Sequence, residues 1–306
     1  MFQLKDFHIP FVPKMWYFVA FSAITVVVSI YFIASKGLNF GTDFKGGTKL
    51  QYQFSGPVSE GDARKILEGS DLGAFSVQKV GKPDENRIMI KLDKLEESQE
   101  QTQKITDALK SGTHQEAITL EKNETVGPKA GADLRKKAQL AIIVSWLLML
   151  IYIGYRFDFA FAPGAIIALI HDLILAIGGF ALTQREVSLT VVAALLTIVG
   201  YSINDTIVVY DRVRENMSKN LNMSFRDIVN LSLNETLSRT IITSFTVFIV
   251  VVLMYFFGEG EFQNFGFAMM IGTITGVYST FSVACPIYIC IKEYGPMKDA
   301  AEPKGA

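Results

Sequence analysis

Three short clusters could do chemistry because they set ionisable side chains into otherwise apolar sequence. His171-Asp172 lies near the middle of an apolar run over 161–182. Asn204-Asp205 sits shortly before the end of a run over 189–210, and Arg239 immediately precedes a run over 240–257. A charge at the centre of a membrane-spanning helix costs about 2.5–3.5 kcal/mol on insertion scales, so such residues turn toward protein or water and mark proton paths or buried pairs. The chemistry on offer is proton transfer. Burial favours a protonated carboxylic acid, and an arginine moving close favours the carboxylate. Asp205 is the candidate proton carrier and Arg239 its switchable counter-charge, with Asp172, His171 and Asn204 as further candidates. The competing reading of each is a fixed ion pair or hydrogen bond that only holds helices together.

Depth and direction add detail. At about 1.5 Å per residue, with Arg239 at the membrane boundary, Asp205 lies about 7 Å deeper and His171-Asp172 about 16 Å deep. Successive helical residues point about 100° apart, so His171 and Asp172 cannot both face one partner. Polar side chains recur at helical spacing: Thr197, Tyr201, Asn204 and Asp205; then Arg239, Thr243 and Thr246; then Thr275, Ser279 and Ser282. Facing stripes of this kind can line a hydrated path. They can equally be interhelical glue, at about 0.6 kcal/mol per hydrogen bond.

The elements that must hold these residues follow from hydropathy. Of 306 residues, 50% are hydrophobic and 19% charged. Six nearly charge-free runs cover 15–34, 138–155, 161–182, 189–210, 240–257 and 265–291 (TM1 to TM6). Runs of about 18 or more such residues suit bilayer-spanning helices. Six of them exclude a soluble enzyme, a disordered chain and a peripheral protein. TM1 is too long for a cleaved leader and lacks a small-x-small site before Lys36, so it reads as a retained anchor.

Lysine and arginine set the orientation. With the N-terminus (1–14) cytoplasmic, the inner segments carry Lys5, Lys14, Arg156, Arg212, Arg214, Lys219, Arg226, Arg239, Lys292, Lys298 and Lys304. The short outer loops carry Arg185 alone. Arg135, Lys136 and Lys137 run against the rule but follow a large exported segment, which crosses regardless of charge. Both termini are thus expected in the cytoplasm, with a cytoplasmic loop over 211–239 and a tail over 292–306.

Residues 35–137 differ in composition and read as a domain. Strands are expected over 49–54, 74–80, 87–92 and 117–121, with helices over 60–69 and 96–109 and a turn over 81–86. The order β-α-β-β-α-β is that of a ferredoxin-like sandwich, which identifies no function by itself. The expected fold class is therefore a polytopic α-helical membrane protein with six transmembrane helices and one exported α+β domain between the first two. No catalytic constellation is visible in that domain, whose single histidine is His114. A shallow apolar surface without a deep pocket is expected there. Cys285 and Cys290 lie within TM6 at a spacing that suits no zinc site and read as packing residues. Gly272 and Gly276 form a close-approach G-x-x-x-G, Gly178-Gly179 a similar point in TM3, Pro163-Gly164 opens TM3, and Pro286 should kink TM6.

Ordered sequence blocks carry a resemblance. Gly41-Thr42-Asp43-Phe44-Lys45-Gly46-Gly47 follows TM1, and Val126-Gly127-Pro128-Lys129-Ala130-Gly131 precedes TM2. Arg156-Phe157-Asp158-Phe159-Ala160-Phe161-Ala162 leads to Ala168-Leu169-Ile170-His171-Asp172. Gly200-Tyr201-Ser202-Ile203-Asn204-Asp205-Thr206 and Thr236-Leu237-Ser238-Arg239-Thr240 complete the set. From about residue 15 to 292 these resemble the SecD/SecF family, accessory membrane subunits of the bacterial Sec protein translocase and members of the RND superfamily.

The resemblance implies a SecF-type subunit in the bacterial cytoplasmic (inner) membrane. It would pair with SecD into a twelve-helix unit, join the SecYEG channel and, further out, YajC and YidC. Unfolded preproteins would be drawn outward by the proton gradient after SecA has pushed them, with no cofactor, no metal and no nucleic acid. The family's proton-path residues map onto Asp205 and Arg239. The blocks around Gly41, Asp43, Gly46, Gly47, Gly127, Pro128 and Gly131 would form the hinge at the base of the exported domain, where glycine tolerates positive φ. Lys45 and Phe245 depart from the usual pattern. The rival classes are a small-molecule RND exporter, whose exported domains would be much larger and paired, and a scaffold with merely structural charges. An intramembrane protease lacks its motif, H-E-x-x-H or a serine or cysteine with a base.

Overall fold

A computed structural model describes residues 8–70, 72–81, 85–93, 99–115, 117–156 and 160–294. The terminal lysines Lys5, Lys298 and Lys304, residues 82–84 of the expected turn, and residues 157–159 of the block after Arg156 lie outside the described residues. The elements in chain order are α1 (Met15–Lys36), β1 (Asn39–Phe40), α2 (Thr42–Lys45), β2 (Gly47–Phe54), α3 (Glu60–Glu68), β3 (Phe75–Val80), β4 (Arg87–Leu92), α4 (Gln99–Thr113) and β5 (Ile118–Val126). There follow α5 (Pro128–Arg156), α6 (Ala162–Thr183), β6 (Glu186–Val187), α7 (Leu189–Lys219), α8 (Phe225–Phe257), α9 (Glu261–Ser279), a five-residue π-helical segment (Thr280–Ala284) and α10 (Cys285–Tyr294).

Six helices are long and apolar enough to span a membrane: α1, α5, α6, α7, α8 and the continuous α9–α10. In hydrocarbon a backbone must satisfy its own hydrogen bonds, which a helix does completely. Among the described residues, α6, α7 and α9–α10 form the buried centre, while α1, α5 and α8 show most of their apolar surface to the outside. Ends differ from the hydropathy reading. Where a loop over 211–239 is expected, α7 continues to Lys219 and α8 begins at Phe225, so a five-residue turn joins two long helices. Charged residues beyond the apolar runs sustain these extensions. Arg212 pairs with Glu235 of α8 at 2.6 Å across the helical hairpin and with Glu215 of its own helix at 2.5 Å, and Ser224 caps α8 by accepting from the Asp227 amide.

Small residues set how closely the central helices approach. A Cβ on Gly276 would lie 3.0 Å from Ser202 Cβ, and one on Gly272 would collide with Ile198, so the G-x-x-x-G of α9 faces α7. Gly178 faces Ser29 of α1, and Gly179 faces Ile271 of α9. Pro286 cannot donate to the preceding turn and crowds its carbonyl. Instead of a simple kink, the chain widens into the π-helical segment immediately before it, a known way to absorb such a defect. Gly164 in the first turn of α6 makes room for that segment. A Cβ there would stand 2.6 Å from the Ala284 carbonyl oxygen and 2.8 Å from Tyr210 Oη. Both cysteines are free, with Cys285 buried among these packing residues.

Between α1 and α5 stands an α+β domain with an antiparallel sheet in the order β3-β4-β2-β5. That order with two helices on one face is the ferredoxin-like arrangement. Alternation sorts the faces. Leu50, Tyr52, Ile88, Ile90 and Val77 pack on Leu67, Ile105 and Leu109 of α3 and α4. Lys49, Gln51, Arg87, Met89 and Lys91 occupy the other face, toward the helical bundle. β5 runs to Val126, past its expected end, and so leads directly into α5.

Glycine-to-alanine exchange should test the packing. In a helix interior the exchange ordinarily gains about 0.5–1 kcal/mol. Gly200→Ala, with nothing within 4 Å of the new methyl, should raise the thermal midpoint of the detergent-purified protein. Gly164→Ala should lower it, as read by loss of the monodisperse peak after heating.

Candidate functional site

Polar residues of the spanning helices separate into two centres. Asp172 of α6 is fully buried. Its Oδ2 accepts from Ser202 Oγ of α7 at 2.6 Å and Ser279 Oγ of α9 at 2.8 Å, and its Oδ1 meets His171 Nδ1 at 2.9 Å. Three central helices therefore converge on one carboxyl group. His171 and Asp172 face different neighbours, as the helical offset requires. The histidine ring borders a groove of about 620 Å³ between α1, α6 and the end of TM6, and its Nε2 has no hydrogen-bond partner among the described residues.

Asp205 of α7 is also buried, at 4% exposure, but its surroundings are different. Ser244 Oγ of α8 lies 3.5 Å from its Oδ2, the outer limit of a hydrogen bond. It forms no ion pair with any described residue. Arg239, one turn and a half away along α8, is exposed on the outer surface and reaches Asp205 only through its field. Tyr201, one turn earlier on α7, is another electrostatic neighbour. Asn204 turns outward and is exposed, as are Thr197 and Thr246.

The three polar stripes thus do not face one another around a single path. Thr275, Ser279 and Ser282 are buried, the last bonded to Ser22 of α1 at 3.1 Å. The α7 and α8 stripes border the outside, with Thr197, Thr243 and Thr246 donating to carbonyls of their own helices. Asp205 sits where the inner and outer surfaces meet. Among the described residues no group of three His, Cys, Asp or Glu is placed to hold a metal ion. The sequence departures Lys45 and Phe245 both point outward.

A third cluster lies where the α+β domain meets the bundle. After Gly41 the chain makes the short helix α2, capped by Gly46 at φ +83°, and Gly47 at φ +133° starts β2. The expected loop is therefore a helical turn flanked by glycines that do use the positive-φ region. The second glycine block closes on the first: a Cβ on Gly46 would lie 3.0 Å from Pro128, and one on Gly131 3.0 Å from the Phe44 carbonyl. Gly127 precedes this contact and is open. β1 pairs in parallel with β6, in the loop between α6 and α7.

Asp43 Oδ2 accepts from the Leu189 amide at the start of α7 at 2.9 Å, and its Oδ1 lies 3.3 Å from Lys49 Nζ. Lys49 also meets Glu261 Oε1 at 3.0 Å, at the start of α9. Lys91 pairs with Glu186, and Thr190 donates to Glu261. Burial works against the charge on Lys49, but its Glu261 hydrogen bond and the Asp43 field outweigh it and hold the ammonium above the ordinary lysine range. Lys49 therefore stabilises the cluster throughout the pH range below its free value of 10.5, losing that contribution only as pH rises through the raised value.

Beyond this cluster the polar sheet face and the α6–α7 and α8–α9 loops enclose a cleft of about 1220 Å³. The expected shallow apolar surface is corrected on this side: the strand residues that alternate away from the core are Lys, Gln and Arg. Sequence reasoning singled out Asp43 but missed Lys49, Lys91, Glu186, Ser202 and Ser244 as partners. A lysine at the head of a strand facing an acidic loop was the available signal.

Known proteins resemble this chain in sequence and fold. The family model described as protein export membrane protein SecD/SecF, C-terminal, matches residues 104–294, and that of the SecD/SecF GG motif matches residues 31–58. A protein translocase subunit SecF from Calditerrivibrio nitroreducens is 40% identical over 292 residues, covering 94% of this chain and 95% of its own. The SecF of Cereibacter sphaeroides is 41% identical over 290 residues, covering 92% and 89%. The crystal structure of SecDF, a translocon-associated membrane protein from Thermus thermophilus, matches with a TM-score of 0.83 and 32% identity over 96% of this chain. This chain spans 40% of that longer one.

The two carboxyl centres should respond differently to loss of a donor. Ser202→Ala or Ser279→Ala leaves Asp172 short of a partner and should cost about 1–3 kcal/mol. Ser244→Ala, removing a bond at the distance limit, should cost under about 1 kcal/mol. Thermal midpoints of the purified variants would show the ranking.

Proposed function

Because the chain belongs to the SecD/SecF family of protein translocase subunits, we propose that it is one six-helix half of a proton-driven device for the late stages of protein export. It works in the bacterial cytoplasmic membrane, with both termini in the cytoplasm and the α+β domain on the exported side. The carrying observation is Asp205: a buried carboxyl at membrane depth with one marginal hydrogen bond and no ion pair to any described residue. A group meant only to hold helices together is satisfied, as Asp172 is. A group that takes up and gives back a proton must be tolerable in both states, and Arg239 on the neighbouring helix supplies a charge that can approach or withdraw.

The outward polar surface supports a second half. Asn204, Thr197, Thr246 and Arg239 are poorly suited to lipid, and intramembrane polar groups turn toward protein or water. We place a SecD six-helix bundle against this α7–α8 face, so that Arg239 and Asp205 lie at the joint of the two halves. SecYEG is the channel this unit serves, YajC and YidC are further neighbours, and unfolded preprotein is the cargo. The proton gradient replaces a cofactor. Asp172 and His171 lie deeper and are closed off by Ser202 and Ser279, which favours a positioning role for them and leaves Asp205 and Arg239 as the relay.

Asp205→Asn keeps the shape but cannot exchange a proton. Cells carrying it as their only copy should accumulate the protein and its SecD partner normally yet fail to export a secreted reporter, and their membrane vesicles should lose the associated proton flux. Normal export with unchanged flux would make Asp205 a packing residue. Arg239→Met should impair export as well, whereas Arg239→Lys should retain part of it.

A further inference from the structure

The ionic cluster at the base of the α+β domain has a placement that packing alone does not require. Asp43 caps α7 at Leu189, and α7 continues without a break to Asp205, sixteen residues or about 24 Å on. Glu261 stands at the first position of α9, which continues to Ser279, a donor to Asp172, about 27 Å away. Lys49, on the first sheet strand of the domain and 7% exposed, holds both carboxylates at once. One lysine of the domain thus grips the outer ends of two helices whose inner parts hold the two membrane carboxyl centres.

Away from the lysine the domain meets the bundle loops sparsely, at the turn after β3, where a Cβ on Gly81 would lie 3.5 Å from the Glu259 carboxylate. Its polar sheet face is separated from the α6–α7 and α8–α9 loops by the cleft of about 1220 Å³. The short β1–β6 pair, the Lys91–Glu186 contact and the glycine turn at Gly46-Gly47 lie beside the lysine and form the remaining attachment on this side. A shift of α7 against α9 would change the separation of Asp43 and Glu261 and so rotate the strand that carries Lys49. A body attached through one compact base converts a small displacement there into a larger one at its far end.

We propose that Asp43, Lys49 and Glu261 are the positioning residues through which movement of α7 and α9 is passed to the α+β domain. The proposal rests on the proton-driven export reading, and its experiment separates the two. Lys49→Met keeps the length of the side chain and removes its charge; Glu261→Gln removes one partner at the cleft rim; Lys49→Arg keeps the charge. Each is expressed with the full complex and measured for protein level, reporter export and proton flux in membrane vesicles, beside Asp205→Asn.

The expected result is uncoupling. Lys49→Met and Glu261→Gln accumulate normally and retain proton flux but lose export, and Lys49→Arg exports near the unmodified level. Loss of flux in Asp205→Asn shows independently that the reading beneath the proposal holds. Unimpaired export by Lys49→Met and Glu261→Gln would overturn the positioning role, as would loss of flux together with export. Failure of both variants to accumulate would also overturn it, showing the cluster to be a folding contact only.

Discussion

Inside a membrane, a carboxyl group has no water to fall back on, and Asp172 shows how the fold meets that constraint. Its three hydrogen bonds come from its own helix and from the two helices packed against it. Those donors arrive only because α7 and α9 pack closely, which Gly272 and Gly276 permit against Ile198 and Ser202. The same seam places Thr206 within 3.1 Å of Thr280, in the widened turn before Pro286. Apolar side chains alone would give these helices little preference over lipid tails. Small residues and matched polar groups provide the specificity.

Asp205 illustrates the opposite solution. It shares a helix with Ser202, three positions away, yet points to a side where α8 offers a distant serine and no fixed cation. The difference follows from helical geometry, because a side chain three residues on lies about 60° round the helix from Ser202, enough to move it from the sealed seam to the α8 side. One helix therefore presents a satisfied polar face to α6 and α9 and an unsatisfied one toward α8 and the outside. This asymmetry favours a relay at Asp205 more strongly than depth does, since Asp172 lies deeper and is fully provided for.

Much of this architecture was legible in the sequence. Hydropathy located six spans, and strand alternation with turn signals gave the order of the α+β domain, because both patterns depend on local periodicity. Asp205, Arg239 and Asp172 were legible because ionisable residues are rare in apolar helices. What the spacing did not reveal was which stripes would face each other. Thr275, Ser279 and Ser282 went inward and Thr197 and Asn204 outward, a choice set by the rotation of whole helices through contacts at Gly178, Gly272 and Gly276. The 211–239 segment read as a loop because its residues are charged, yet Arg212 pairs with Glu235 across a helical hairpin and with Glu215 along its own helix. The cluster around Lys49 was hidden for a different reason: Lys49 and Glu261 are 212 residues apart, and Asp43 and Leu189 146.

That long separation bears on how the domain is held. Local sequence can make a tight turn, and Gly46 and Gly47 do so by adopting backbone angles that other residues resist. A turn by itself does not fix where the domain settles. Direction has to come from contacts with parts of the chain folded elsewhere, here the Asp43–Lys49–Glu261 cluster, the Lys91–Glu186 contact and the β1–β6 pair, beside Phe44 packed into the bundle core. Charged groups that separate can be rehydrated when water enters the cleft, whereas an apolar interface would pay the full cost of exposing its surface. The polar face of the sheet and the carboxylates of Glu186 and Glu261 opposite it thus suit a domain that, on the reading proposed above, stays attached while changing its angle. An apolar face of the same area would have fixed it in one position.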